Sequence, residues 1–330
     1  MRHVRRLEKS RDVRGVIAVL TQSRHRDDVD VQAACLRVLG NVCFHDAWNG
    51  RLAGRSGAIE ALVDAMRRHG GNEKLQEDGC FALRSMCRYG DENGRLAGRC
   101  GAIEAVVHAM KRHGGNEKLQ EDGCFALRSM CRYGDENGRL AGRCGAIEAV
   151  VHAMKRHGGN EKLQEKGCAA LVRMCLGNDE NARLAGRSGA IEAVVHAMKR
   201  HGGSEDVQYS GCWALNNMCY GNAENARLAG RYGAIQAVVD AMKRHGENGT
   251  VHRSGCWALV HMCIDNAENR RLAERHGAPL QAVVDAATRH RGNENVQKKG
   301  YGNFVASWLC VVVASWLWWL RRTNKSPTRR

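Results

Sequence analysis

Cysteine and histidine recur along this chain at positions that first suggest disulfide or metal chemistry. Cysteine follows glycine at 80, 124, 168, 212 and 256, and follows methionine at 87, 131, 175, 219 and 263. Seven residues of helix span ~10.5 Å, so Cys80 and Cys87 stand too far apart to bridge. None of the fifteen cysteines belongs to a C-x-x-C pair, and the spacing of zinc ligands is missing. Small, reduced, buried thiols in a reducing compartment are therefore expected. Histidine occupies 108, 152 and 196 in one register, and 69, 113, 157, 201 and 245 in another. His108 and His113, five apart on a helix, diverge by roughly 140°, which predicts a solvated row rather than a metal site. The carboxylate pairs Glu77-Asp78 and Asp91-Glu92 could do acid–base work, but near helix starts they complement the helix dipole. There is no phosphate-cradling loop and no nucleophile elbow. Catalysis also needs unlike neighbours in a pocket, whereas these residues return identically. No catalytic residue, cofactor or metal is expected.

The elements that hold these residues are themselves repeated. Residues 70–113 return letter for letter at 114–157. Gly-Ala-Ile begins at 57, 101, 145, 189 and 233, and Gly-Ala-Pro-Leu at 277, always 44 apart. A period of 20–50 residues marks a stacked array. VQAACLRVLGNVC (31–43) lies one period before LQEDGCFALRSMC (75–87), so the array starts near residue 13, with about six complete units and a divergent seventh. Each unit predicts three helices. The first is short, over 92–99, with Asp91 or Asn93 as N-cap. The second runs from Ala102 to about Arg112 and buries Ile103, Val106, Val107 and Met110. The third covers 73–87, entered at Asn72, with Leu75, Gly79, Ala82, Leu83 and Met86 as its buried stripe. Gly79 costs ~1 kcal/mol in a helix interior, so its recurrence predicts a neighbouring helix packed close. Such helices bury their faces only by stacking. The chain has only two prolines, Pro279 and Pro327, which suits long helical content.

The text N-x-x-(L/V)-Q-x-x-G-C-(F/W)-A-L-x-x-M-C, then E-N-x-R-L-A, then G-A-I-x-A-V-V resembles the armadillo repeat over about residues 13–300. The resemblance implies an all-α chain, a right-handed α-solenoid of three-helix armadillo-type repeats with a period of 44 residues. It divides the sequence into a basic segment over 1–12, the array over 13–300, and a hydrophobic segment with a basic tail over 301–330. Two departures stand out. Glu60, Glu104, Glu148, Glu192 and Gln236 occupy a place where the family often has proline. The importin-α branch carries a ladder of Trp-x-x-x-Asn, of which only Trp213/Asn217 keeps both members. The same places hold Arg37/Asn41, Phe81/Ser85, Phe125/Ser129, Ala169/Arg173 and Trp257/His261. A nuclear import receptor is not expected.

Helical spacing puts third-helix positions 77, 81, 84, 85 and 88 on one side, which the resemblance implies is a concave groove. Successive layers present Phe81 with Arg84, Phe125 with Arg128, Ala169 with Arg173, Trp213 with Asn216 and Asn217, and Trp257 with His261. Exposed aromatics beside polar groups suit a partner; the plainer alternative is that they cover neighbouring layers. The expected function is a non-catalytic protein–protein scaffold or adaptor. It would hold an extended or helical partner segment with acidic residues facing Arg84, Arg128 and Arg173.

The net charge of +16 is concentrated at the ends. The first 14 residues carry +4 and residues 296–330 carry +7, leaving +5 between them. Recurrent Lys-Arg-His and Arg-Leu-Ala-Gly-Arg segments, on layers ~10 Å apart, could follow a phosphate backbone. A nucleic-acid- or phosphate-binding solenoid is thus the second reading, against simple solubilising charge at helix C-termini. FVASWLCVVVASWLWWL (304–320) has 17 residues without a charge, at the short end of what spans a bilayer. Lys298-Lys299 and Arg321-Arg322 flank it, and Trp316, Trp318 and Trp319 lie near one end. It reads as a tail anchor tethering an adaptor to a membrane, as a packed terminal helix, or as the product of a shifted reading frame. MRHVRRLEKSRDVRG lacks an apolar run and predicts no secretory signal. The cytoplasm is the expected location, with the nucleus an alternative and the membrane reached through 304–320.

Overall fold

In the computed structural model, the structure describes residues 9–44, 46–133 and 135–278. Among these are eighteen α-helices, two single 3₁₀ turns and no strand. They recur in threes. The second and third helices of unit 1 are Val13–Thr21 and Val29–Phe44; unit 2 is Ala47–Arg55, Ala58–Arg68 and Glu73–Cys87; unit 3 is Asp91–Arg99, Ala102–Arg112 and Glu117–Met130. Unit 4 is Asp135–Arg143, Ala146–Arg156 and Glu161–Cys175; unit 5 is Asp179–Arg187, Ala190–Arg200 and Glu205–Cys219. Unit 6 is Ala223–Tyr232, Ala234–Arg244 and Gly249–Cys263, and unit 7 contributes Ala267–Arg275. The expected remainder of unit 7, most of the 1–12 segment and the apolar run 304–320 lie outside the described residues. Among the described residues, no helix is long and apolar enough to cross a membrane.

Local chemistry sets these boundaries. First and second helices meet at Gly57, Gly101, Gly145, Gly189 and Gly233, all with φ between 76° and 80°, a left-handed turn that a side chain would strain. The second helix then buries its apolar stripe: Ile103, Val106 and Met110 are at most 1% exposed. Its methionine lies across the third helix's glycine. A Cβ at Gly79 would come within 2.7 Å of Met66 Sδ, and Gly123, Gly167, Gly211 and Gly255 meet Met110, Met154, Met198 and Met242 in the same way. The close packing that Gly79 predicts is thus between helices of one unit. All fourteen cysteines among the described residues are free, twelve of them buried, and burial pushes thiols such as Cys87 up to about 12.

Polar ladders fasten unit to unit, and here the structure departs from expectation. His113 Nε2 lies 2.9 Å from the Gly70 carbonyl, and His157, His201 and His245 repeat this bond to Gly114, Gly158 and Gly202. This row is therefore a cross-layer hydrogen-bond ladder and not solvated; the His108 row is exposed as expected. Asn93, a candidate first-helix cap, is buried instead. Its Nδ2 donates at 2.8 Å both to Gly50 O of the preceding unit and to Met86 O, while the cap position is Gly90. Asn137, Asn181, Asn225 and Asn269 repeat the pair of bonds. Gln76 ties the third helix to the second by donating to Met66 O and His69 O.

Candidate interaction face on the third helices

The third helices pack on one another along the array, so their side chains between layers form one continuous row. Asparagine caps set the start of most: Asn72, Asn116 and Asn160 accept from the amides of Leu75, Leu119 and Leu163 at 2.8–2.9 Å. The buried stripe then fixes rotation, leaving Glu77, Phe81, Arg84 and Arg88 half-buried between layers in unit 2. Ser85 is not among them. It is fully buried, and its Oγ donates to Phe81 O at 2.8 Å.

Phe81 is half-buried with its ring 5.8 Å from Phe44. Arg84 is held inside the chain. It pairs with Asp122, which is buried, and lies 3.8 Å from Glu121 of the next unit. Its guanidinium also stands 4.6 Å from the Phe125 ring and 5.2 Å from Phe44. Burial pushes the Asp122 carboxyl up, and Lys118 and Arg84 pull it back without reversing the shift. Phe125 is only 9% exposed, because cations from both adjacent layers cover its ring. Arg128 lies 3.9 Å from Glu165 and 5.4 Å from the Phe125 centroid. Arg173 is half-buried farther along the row.

The row changes character in units 5 and 6. Trp213 is half-buried, and Asn217 Nδ2 donates at 2.8 Å to its carbonyl. Asn216 is 6% exposed, and among the described residues its Oδ1 accepts no hydrogen bond. Trp257 stacks on His261 at 5.8 Å and 13°, while Tyr220 meets the same imidazole edge-on at 4.9 Å. Burial among these rings pulls His261 down to about 4.

The structure thus carries the ten expected residues on successive third helices and joins some of them, among them Trp213 and Asn217 through the hydrogen bond above. Phe81, Arg84, Phe125 and Arg128 join through cation–ring contacts, and Trp257 joins His261. Arg84 and Arg128 already meet carboxylates of this chain. Sequence reasoning missed Lys166, whose Nζ pairs with Glu165 and lies 5.0 Å from the Phe125 centroid. It stands where the preceding units have Asp78 and Asp122, and it is the first position at which the 158–201 unit departs from the two copies before it. Trp48 was missed as well. It is 68% exposed, at a position that is glutamate at 92, 136, 180, 224 and 268. Among the described residues, no group of histidine, cysteine and carboxylate side chains could hold a metal.

Comparison with known proteins follows the same lines. A family model described as LRRK2 ARM repeat matches residues 91–300. A designed armadillo repeat protein, YIII(Dq)4CqI, superimposes with a TM-score of 0.65 at 18% identity, covering 76% of this chain and 100% of its own. A second, YIII(Dq.V1)4CPAF in complex with the peptide (KR)4, gives 0.62 at 18% identity, with coverage of 76% and 99%. A structure from work on a phosphorylation switch controlling the interaction between cadherin and beta-catenin gives 0.69 at 18% identity, covering 84% of this chain and 48% of that one. No curated protein matches.

Proposed function

The chain belongs to the armadillo-type repeat family described as LRRK2 ARM repeat, and from that premise we propose that it is a non-catalytic scaffold holding a protein segment along its third-helix row. One observation carries this reading: the units differ from one another chiefly on that row. Second helices read Ala-Ile-Glu-Ala-Val-Val-His-Ala-Met-Lys-Arg at 102–112, 146–156 and 190–200 without change. Within the third helices the buried leucine, cysteine and methionine positions also return. The residues between layers do not: Phe81, Phe125, Ala169, Trp213 and Trp257 share one position, and Arg84, Arg128, Val172, Asn216 and Val260 another. A solenoid whose frame repeats while one face varies presents a distinct surface at each layer. Similar solved proteins are described with a bound peptide and with cadherin, which supports a segment as the occupant. The free buried thiols support a reducing compartment, and the cytoplasm is the proposed location.

The test pairs two variants of the full chain in capture of partners from nuclease-treated lysate. Trp213→Ala with Trp257→Ala should lose the captured protein while helical circular dichroism is kept. Charge reversal at Lys111, Arg112, Lys155 and Arg156, on the second-helix ends, should leave it bound. The opposite pattern, with capture abolished by nuclease, would move the function to the phosphate-binding alternative.

A further inference from the structure

We infer that the row contains one anion-selecting layer, between units 3 and 4, which docks an Asp/Glu-rich stretch of the partner segment; this rests on the third-helix reading above. The third helices of units 2 and 3 carry the same text, and their junction is electrically closed: Arg84 meets Asp122 and Glu121, while Lys118 reaches both carboxylates at 3.4–3.5 Å. At the next junction Arg128 stands where Arg84 stood, but Lys166 replaces the aspartate. A pairing anion becomes a cation, a swing of two charges at one contact. Four cations then ring Phe125 from three units: Arg84, already paired with Asp122, at 4.6 Å, Lys166 at 5.0 Å, Arg128 at 5.4 Å and Arg88 at 6.0 Å. Glu165 is the carboxylate shared by Arg128 and Lys166. Arg88 rests on the Phe44 and Tyr89 rings, with no carboxylate partner among the described residues. The Arg128 and Lys166 side chains remain 34% and 22% exposed, so an arriving anion can reach them.

The surroundings argue for a short acidic stretch over a nucleic-acid backbone. Toward unit 2 the arginine is already neutralised. Toward unit 5 the helix Glu205–Cys219 opens with Glu205 and Asp206 and has neither lysine nor arginine. Between these two boundaries the row's cations are Arg128, Lys166 and Arg173, which span about two layers ~10 Å apart. A polynucleotide crossing them would run its phosphates onto carboxylates at both sides, whereas clustered acidic side chains can be placed on one layer alone. Partly buried, ring-stacked guanidinium groups also hold a carboxylate more strongly than solvated ones.

The chain itself supplies the control, because Lys166→Asp restores the arrangement already present at Arg84–Asp122 and should fold. Three fluorescent peptides sharing one apolar frame, with Glu, Gln or Lys at the charged positions, are titrated by fluorescence anisotropy into the full chain, with a single-stranded RNA oligonucleotide as a fourth probe. The Glu peptide should bind tightest and weaken about tenfold in Lys166→Asp, as expected for loss of a close charge pair. Asp122→Lys should strengthen it by creating a second such layer. If the Gln or Lys peptide binds as well, weakens in Trp213→Ala and ignores Lys166→Asp, the acidic-layer inference falls and the third-helix reading stands. If no peptide responds to either variant, both fall. RNA binding more tightly than the Glu peptide, with the same dependence on Lys166, would overturn the class of partner.

Discussion

His261 shows how a single side chain takes its chemistry from neighbours a whole unit or helical turn away. Stacked on Trp257 and met edge-on by Tyr220, its imidazole falls to about 4 through burial, against ~6.5 in an unfolded chain. The unfolded state therefore takes the proton first. Stability from the neutral ring is complete above ~6.5 and is lost as pH falls toward the folded value, on the order of 3 kcal/mol. His252 acts in the same direction, being buried where other units have the ladder glutamine and lowered by burial. We expect the urea midpoint followed by tryptophan fluorescence to fall more between about pH 7 and pH 4.5 in the native chain than in His261→Phe, which keeps the stacking. Equal slopes would mean that the folded ring accepts its proton freely. None of this was legible from the residue alone. A helical wheel places Phe125 and Arg84 on the outer side of their helices, but it knows only one helix. Arg84's carboxylate, Asp122, lies 38 residues away, and the cations covering Phe125 come from both adjoining layers.

At the scale of the element, helix ends and buried stripes were readable because they depend on neighbours three or four residues apart. The second helix at Ala102–Arg112 and the third at Glu73–Cys87 fall where the periodicity puts them. The ladders joining elements were not, since the partner of Asn137 Nδ2 at Gly94 O is 43 residues distant. Their one sequence trace is internal: asparagine returns in every E-N-x-R-L-A, where an ordinary polar helix residue would vary. The first helix of unit 4, Asp135–Arg143, contains two glycines that separate these cases. At Gly138 a Cβ would meet Met174 O at an ordinary 3.7 Å, and units 5 and 6 place Ala182 and Ala226 there. At Gly142 it would collide with Asn181 Oδ1, displacing the staple to Gly138 O and Met174 O, both at 2.7 Å. Gly138→Ala should thus stabilise by up to about 1 kcal/mol. Gly142→Ala should destabilise by about 2 kcal/mol or more, since buried carbonyls lose their donors. Combining Gly142→Ala with Asn181→Ala should cost clearly less than the sum of the two. Equal effects of the two alanines in urea melts would show that the staple contributes little.

The described residues form a one-dimensional stack, and its joints are visible in which residue meets which. Among the described residues the last staple is that of Asn269 in unit 7; in the sequence, Glu274 stands in the place of Gly54, Gly98, Gly142, Gly186 and Gly230, and valine is at 313, one period after Asn269. Inside the stack, identity between 70–113 and 114–157 makes one unit removable. Deleting residues 114–157 joins His113 to Gly158, so the third helix at 73–87 now faces 161–175. That junction already exists, because residues 117–131 are the same text and face the same helix in the native chain. Deleting 70–113 would give the identical polypeptide. By contrast, deleting 158–201 removes equally many residues but brings Phe125 and Arg128 against Tyr209 and Ser210, a contact the chain has never made. If stability is a sum of unit and neighbour-interface terms, the first deletion costs one unit and one native interface. Its urea m-value should fall in proportion to the surface removed, its helical signal per residue should be unchanged, and its midpoint should shift only slightly. The second deletion should lose the same m-value and, in addition, a midpoint penalty from the mismatched layer. Matching midpoints for the two would show that neighbouring units do not recognise one another through these residues, and the nearest-neighbour account of this stack would fail.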